Sequence, residues 1–435
     1  MTSNNSVKIS TGALIHILNN SICESKDLSI ESFDVWVTQS YVFGSGKVCA
    51  IISNFSKLNI SQVVLNVTVY SQYSENIFSQ FGIFGLVQSG TLQIDNLKHI
   101  YTSFNGTFNY HGLIGNLSND YASINNVIIY SFINTTGTCN AALIGYQRSQ
   151  NWSVSNIFVN NSVIIGTNFS GIICAHTFNK GLLSNILITL CDIQANSSGH
   201  SYSGGVLGYI FSSLTTNTSI YIENTKLYSN NISSTASNET SYDTHSGAIT
   251  AEQKRETIIH IINAKIEQCI LVANQACRKA FSGGYIGLTY GQVFLNNSQI
   301  LFSSLQAMAS NNSIAGSVFA MINSNFSQII QNSLVNNINV TSNSLNTSYS
   351  GGFIGYTNST QVIAIVNSTL ENYISQSTGL MVFDYMIINI EGDVQISQIQ
   401  LNSCYSAGSN ILNGIQINSC QLVTITTQDG CLPSN

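Results

Sequence analysis

A four-residue phrase, glycine, any residue, a hydrophobic residue and glycine, recurs along the chain about every 30 residues, and this period restricts the fold more than any other feature. The clear copies are Gly82-Ile83-Phe84-Gly85, Gly112-Leu113-Ile114-Gly115, Gly205-Val206-Leu207-Gly208, Gly284-Tyr285-Ile286-Gly287 and Gly352-Phe353-Ile354-Gly355. Degraded copies fill the gaps: Ala142-Leu143-Ile144-Gly145, Gly171-Ile172-Ile173-Cys174, Gly247-Ala248-Ile249-Thr250, Gly316-Ser317-Val318-Phe319, Gly379-Leu380-Met381-Val382, and Gly46-Lys47-Val48-Cys49 upstream. Together they make about 11 copies at intervals of roughly 27 to 42 residues. Self-similarity on this scale marks stacked copies of one supersecondary unit.

Each unit carries a second phrase: alternating hydrophobic residues, a polar pair, then Ser, Thr or Cys, as in Ile157-Phe158-Val159-Asn160-Asn161-Ser162. Runs of Val, Ile, Tyr and Phe broken by Asn, Ser and Gly read as short strands joined by polar turns, and they disfavour helix. Three strands of four to six residues plus turns consume roughly 30 residues, one coil of a parallel β-helix. The expected fold is therefore all-β: a single-stranded parallel β-helix (β-solenoid) of about 11–13 coils, spanning 1–435 as one domain. Residues 46–384 supply the repeats, with end coils or caps at 1–45 and 385–435 to cover unpaired strand edges. A β-propeller is the alternative, but its four-stranded blades need more residues than most units supply.

Within this scheme the motif glycines permit either a positive-φ corner or close backbone approach between coils. Ser162, Cys191, Cys269, Ser298, Ser333, Thr369, Cys404 and Cys420 fall at one place in their units, which predicts an inward ladder of small side chains. The asparagines beside them predict amide ladders at the corners, each side chain bonding its equivalent in the next coil.

Only 7% of residues are charged, against a typical ~25%, so uncharged polar groups must carry solubility. The 13 basic and 19 acidic residues give a net charge of −6 and no basic stripe, which excludes nucleic-acid binding by counterion release. No apolar run approaches a membrane helix; Leu380-Met381-Val382-Phe383 ends at Asp384. Met1-Thr2-Ser3-Asn4-Asn5 lacks the features of a signal peptide, and the C-terminus lacks an anchor-like tail, so the expectation is retention inside or an export signal outside this sequence. About twenty Asn-x-Ser/Thr sequons, among them Asn54, Asn66, Asn105, Asn134, Asn151, Asn196, Asn238, Asn325 and Asn358, point the other way, towards secretion and N-glycosylation.

The ten cysteines read as free thiols. Cys191, Cys269, Cys404 and Cys420 replace the Ser of the second phrase, and Cys49 and Cys174 replace a motif glycine; only Cys404 and Cys420 align for a disulfide. No Cys-x-x-Cys or close Cys/His pair shows ligand spacing, so no metal site and no cofactor are expected.

Carboxylate pairs for acid–base cleavage of a polysaccharide have one candidate cluster, Asp243, His245 and Glu252 around Gly247, followed by Lys254 and Arg255. The plainer reading is a long, solvated turn with some charge. Asp384, Glu391 and Asp393 form a second acidic group, better read as a polar edge. Tyr146, Tyr209 and Tyr356 each follow a motif and are candidates for stacking on sugar rings, with ladder packing as the alternative. There is no Gly-x-Ser-x-Gly elbow, phosphate loop or dinucleotide fingerprint.

Gly-Gly-Phe-Ile-Gly-Tyr at 351–356 with Asn-Ser-Thr at 367–369 resembles the GLUG-motif repeats of secreted bacterial and protist proteins; 204–209 and 142–146 are similar. The resemblance covers roughly 40–390 and implies a β-solenoid used as a stalk or display scaffold in surface or secreted proteins, adhesins among them. It carries no catalytic residues. The expected role is thus a non-enzymatic structural or adhesive module, a monomer, binding a glycan, matrix or host protein outside the cell. The alternative is a parallel β-helix polysaccharide hydrolase or lyase using carboxylates near Asp243.

Overall fold

The computed structural model describes side chains over residues 87, 91–97 and 110–380, apart from 135–136, 212–217, 238–241, 275–277 and 360. Within 9–106 and 381–406 it otherwise describes strands by their backbone. The expected caps at 1–45 and 385–435, Cys404, Cys420, Glu391 and Asp393 lie wholly or largely outside the described residues.

Among the described residues every regular element is a β-strand, and the strands pair in parallel. A strand's partners are the equivalent strands one repeat earlier and one repeat later: Ile114–Leu117 lies between Gln80–Val87 and Ile144–Gln147. Pairing between repeats, and not within them, is incompatible with propeller blades. Asn151 pairs with Lys180 and Ser201 with Thr244, so the repeat ranges from 29 to 43 residues. Two sheets result. One contains 22 strands and carries the glycine motifs; the other closes on itself, because long strands such as Tyr121–Thr135 pair with two strands of the next repeat, Asn151–Asn160 and Val163–Gly166.

The core lies between the two sheets. Alternation within each strand puts every second residue inside, and parallel register stacks like on like. Ile94, Ile124, Val154, Leu183, Ile222, Ile261, Leu295, Ile330 and Ile365 form one such column. None of them is more than 1% exposed, and each contributes about 1.5–3 kcal/mol by burial. Trp152 fits because its neighbours in the column are Ala122 and Gly181; a Cβ on Gly181 would stand 2.3 Å from the indole.

The corners correct one expectation. None of the motif glycines Gly112, Gly205, Gly208, Gly284, Gly287 and Gly355 has a left-handed φ. Asparagine takes that conformation instead: Asn96, Asn126, Asn156, Asn185, Asn224, Asn263, Asn297, Asn332 and Asn367 occupy one corner of nine successive repeats with φ between 48° and 55°. Asparagine tolerates this region better than other non-glycine residues. Their amides form a ladder: Asn185 donates to Asn156 at 3.1 Å, Asn224 to Asn185 at 3.2 Å, Asn263 to Asn224 at 3.1 Å, Asn297 to Asn263 at 2.7 Å and Asn367 to Asn332 at 2.8 Å. A second left-handed corner runs through Asn161, Leu190, Ser229, Gln268, Phe302, Asn337 and Asn372, where residue type is unrestricted.

The small-residue ladder is accordingly two ladders. Ser298 and Ser333 follow the asparagine corner, whereas Ser162, Cys191 and Cys269 follow the second, with Asn230 and Ser303 as their equivalents. Thr369 is one residue out of phase: Ser368 is the buried member. Where either position carries Ser or Cys the chemistry is the same; in other repeats it is apolar, as at Val127, Ile157 and Ile338. The hydroxyl or thiol donates to the carbonyl two residues earlier, as Ser298 does to Asn296 at 3.0 Å and Cys191 to Thr189 at 3.2 Å. The polar side chain also accepts a backbone N–H from the preceding repeat, as Ser303 does from Cys269 at 3.1 Å and Ser368 from Ser333 at 3.2 Å. The turn frees that N–H from the strand ladder, and the side chain satisfies it.

Candidate functional site

The glycine motif makes a tight bend in the 22-stranded sheet. A Cβ on Gly204 would lie 1.8 Å from the Leu207 carbonyl oxygen, and the same distance separates Gly351 from that of Ile354. Position by position, Gly145, Ala175, Gly208, Ala251, Gly287, Ala320 and Gly355 align, so alternate repeats carry alanine at the second glycine. Cys174 therefore stands at the hydrophobic position, paired with Ile144 and Leu207, and not at a glycine position.

The bend brings the outward faces of its two flanking strands together, and residues seven apart meet across it. Successive pairs are Cys139 and Tyr146, Phe169 and His176, Tyr202 and Tyr209, His245 and Glu252, Phe281 and Leu288, Ile314 and Met321, Tyr349 and Tyr356. The result is a groove filled by its own rings. Phe169 stacks on Tyr202 at 5.0 Å and 9°, Tyr202 packs edge-on to Tyr209 at 5.1 Å, and Tyr349 lies 4.9 Å from Tyr356. Tyr146 is held between Tyr110 at 4.7 Å and His176 at 5.0 Å. Tyr146, Tyr209 and Tyr356, the candidates for sugar stacking, thus present their rings to neighbouring side chains; Tyr209 is 6% exposed.

One rung departs from this pattern. His245 takes a ring's place between Tyr202 at 4.9 Å and Phe281 at 4.7 Å, and Glu252 stands between Tyr209 and Leu288. His245 Nδ1 approaches Glu252 Oε2 to 3.3 Å, and Glu252 Oε1 is ion-paired with Lys254. Asp243, at the mouth, receives Arg278 Nε at 3.7 Å, and its backbone N–H donates to His200 Nδ1 at 3.1 Å. The fold therefore brings Asp243, His245, Glu252 and Lys254 to one rung. It also corrects the solvated-turn reading, because His245 and Glu252 are each only 2% exposed. Tyr202 and Tyr290, which complete the surroundings, were not singled out by sequence; large residues spaced seven apart across the glycine phrase were the available signal for Tyr202, and Tyr290 had none.

Burial governs the electrostatics. It raises the Glu252 carboxyl above the usual carboxylate range against the pull of Lys254, and it raises Asp243 likewise against Arg278 and Lys279. Burial, reinforced by Lys254, holds His245 well below its ordinary value, so it is neutral at pH 7. The rung is a buried ion pair beside a neutral imidazole, with its carboxylate already engaged. Among the described residues no group of three or more His, Cys, Asp or Glu side chains is arranged to hold a metal ion. No helix among them is long and apolar enough to cross a membrane.

No family model, curated protein or solved structure matches the chain.

Proposed function

We propose that the chain winds as a single-stranded parallel β-helix of about 11–13 coils and serves as a non-enzymatic display or adhesive module, at a cell surface or in secreted form, for a glycan, matrix or protein partner. The observation that carries this reading is the state of Glu252: the carboxylate best placed for acid–base chemistry is buried and neutralised by Lys254. A cleaving pair of carboxyls must instead reach a sugar from both sides. Parallel pairing between successive repeats supports the winding, and the asparagine ladder supplies a regular, uncharged outer edge suited to display. Resemblance to GLUG-motif repeats supports the surface or secreted setting.

The experiment is a glycan and extracellular-matrix array with the full chain, wild type beside Asp243→Asn and Glu252→Gln. Equal binding by all three fits a scaffold. The polysaccharide hydrolase or lyase reading requires turnover of a bound glycan that either substitution abolishes.

A further inference from the structure

The ammonium of Lys254 is bound as a ligand would be. It is ion-paired with Glu252 and stands 5.6 Å from the centroid of the Tyr209 ring and 5.2 Å from that of Tyr290. Both distances fall within the ~6 Å over which a cation is attracted to a ring face. Two rings and one carboxylate thus converge on a single positive group, the arrangement by which aromatic cages recognise organic ammonium ions. Two of the walls are buried, Glu252 at 2% exposure and Tyr209 at 6%, and Tyr290 is half-buried, whereas Lys254 is 37% exposed and reaches the cage from the solvent side. The two neighbouring repeats place Phe211 and Tyr290 where this one places Lys254, so the cation belongs to this rung and not to the repeat.

We propose that Glu252, Tyr209 and Tyr290 form a binding site for a small organic ammonium ion, and that Lys254 occupies it as an internal plug. One carboxylate with ring faces suits a diffuse organic cation, whereas calcium takes six to eight oxygen ligands. The lysine stem is flexible enough to swing out and release the site without moving the strands. Tethering gives the plug an effective concentration in the millimolar range, so an external ligand binds the native chain weakly and binds tightly once the plug is gone. The site is independent of the scaffold reading, since it needs only the groove geometry.

Choline and glucosamine are the two probes: one is a quaternary ammonium, the other a primary ammonium on a sugar. Binding to the full chain is measured by calorimetry for wild type, Lys254→Met and Lys254→Met/Glu252→Gln. The expected result is at least tenfold tighter binding of one probe by Lys254→Met than by wild type, lost in the double variant; the probe preferred separates methylated amines from amino sugars. In the wild type, the same probe should raise the acetylation rate of Lys254, read by mass spectrometry, because displacement exposes its amine. That second measurement decides the matter if Lys254→Met does not fold. No gain in affinity on removing Lys254, affinity that survives Glu252→Gln, or an unchanged Lys254 acetylation rate would overturn the proposal.

Discussion

Asn297 donates its side-chain amide to Oδ1 of Asn263 at 2.7 Å, and the two residues hold left-handed backbone conformations of 49° and 55°. Conformation and hydrogen bond are coupled. The left-handed corner turns the amide outward along the stack, and the amide of the next repeat fixes it there. Asn263→Ala removes the bond to Asn224 and the bond from Asn297, and it replaces a side chain that tolerates the left-handed region with one for which that φ costs about 1–2 kcal/mol. With about 1 kcal/mol for lost hydrogen bonding, the expected destabilisation is ~2–3 kcal/mol in chemical denaturation. Asn263→Gly keeps the φ and should cost roughly half as much, and the difference between the two measures the conformational part.

The glycine that precedes the motif tests close approach. Gly204→Ala directs a Cβ to within 1.8 Å of the Leu207 carbonyl oxygen, a backbone atom that cannot move without opening the bend. Destabilisation of about 3 kcal/mol or more is expected. Gly199→Ala is the control: its nearest neighbour is the Ser197 hydroxyl at 3.6 Å, and thermal unfolding should shift little or not at all.

Asn230 separates Cys191 from Cys269 in the second corner ladder: its Oδ1 accepts from the Cys191 N–H at 2.9 Å, and its amide lies 3.9 Å from the Cys269 sulfur. The two thiols are therefore two repeats apart and cannot pair. Burial pushes Cys191 up to about 12 and Cys269 to about 11. Neither should react with a thiol reagent at pH 8 until the chain unfolds. Cys191→Ser should change stability by no more than about 1 kcal/mol, because Ser162 and Ser303 already fill equivalent places.

Acid should weaken the fold at two histidines, one of them in the groove. Burial lowers His111 and His176 to about 3, far below the unfolded value near 6.5. The folded state then binds fewer protons than the unfolded chain over that interval. Stability is full above pH 6.5 and falls as the pH drops towards 3, by at most about 1.4 kcal/mol per pH unit for each residue. His176 lies among Phe169, Tyr146, Phe178 and Tyr209, so His176→Phe should fold and show a shallower loss of melting temperature between pH 6.5 and 4. An unchanged pH profile would show that His176 titrates normally.

Much of this architecture was legible in the sequence, and the failures have physical causes. The glycine phrase was visible because it marks a bend where backbone meets backbone. Its degraded copies were misphased because Ala175, Ala251 and Ala320 replace the second glycine in alternate repeats, so a search for two glycines settled one residue early at Gly171, Gly247 and Gly316. The two corner ladders merged in the sequence because each, in some of its repeats, places a small polar residue after a left-handed one. Only three-dimensional register separates Ser333 from Cys269. The rung of His245 and Glu252 read as a solvated turn because charge near a glycine usually is one. The bend that buries it becomes apparent only when Tyr202 and Tyr209, or Tyr349 and Tyr356, are seen as the same seven-residue pair.

The scaffold reading rests on a carboxylate that is present but already engaged. Its most direct test is release of reducing ends from any polysaccharide the chain binds, measured with wild type and Glu252→Gln under identical conditions across pH 4 to 8. The account predicts retention of the polymer by both proteins and no release by either. Release by wild type that disappears in Glu252→Gln would contradict it and establish the buried rung as an active site.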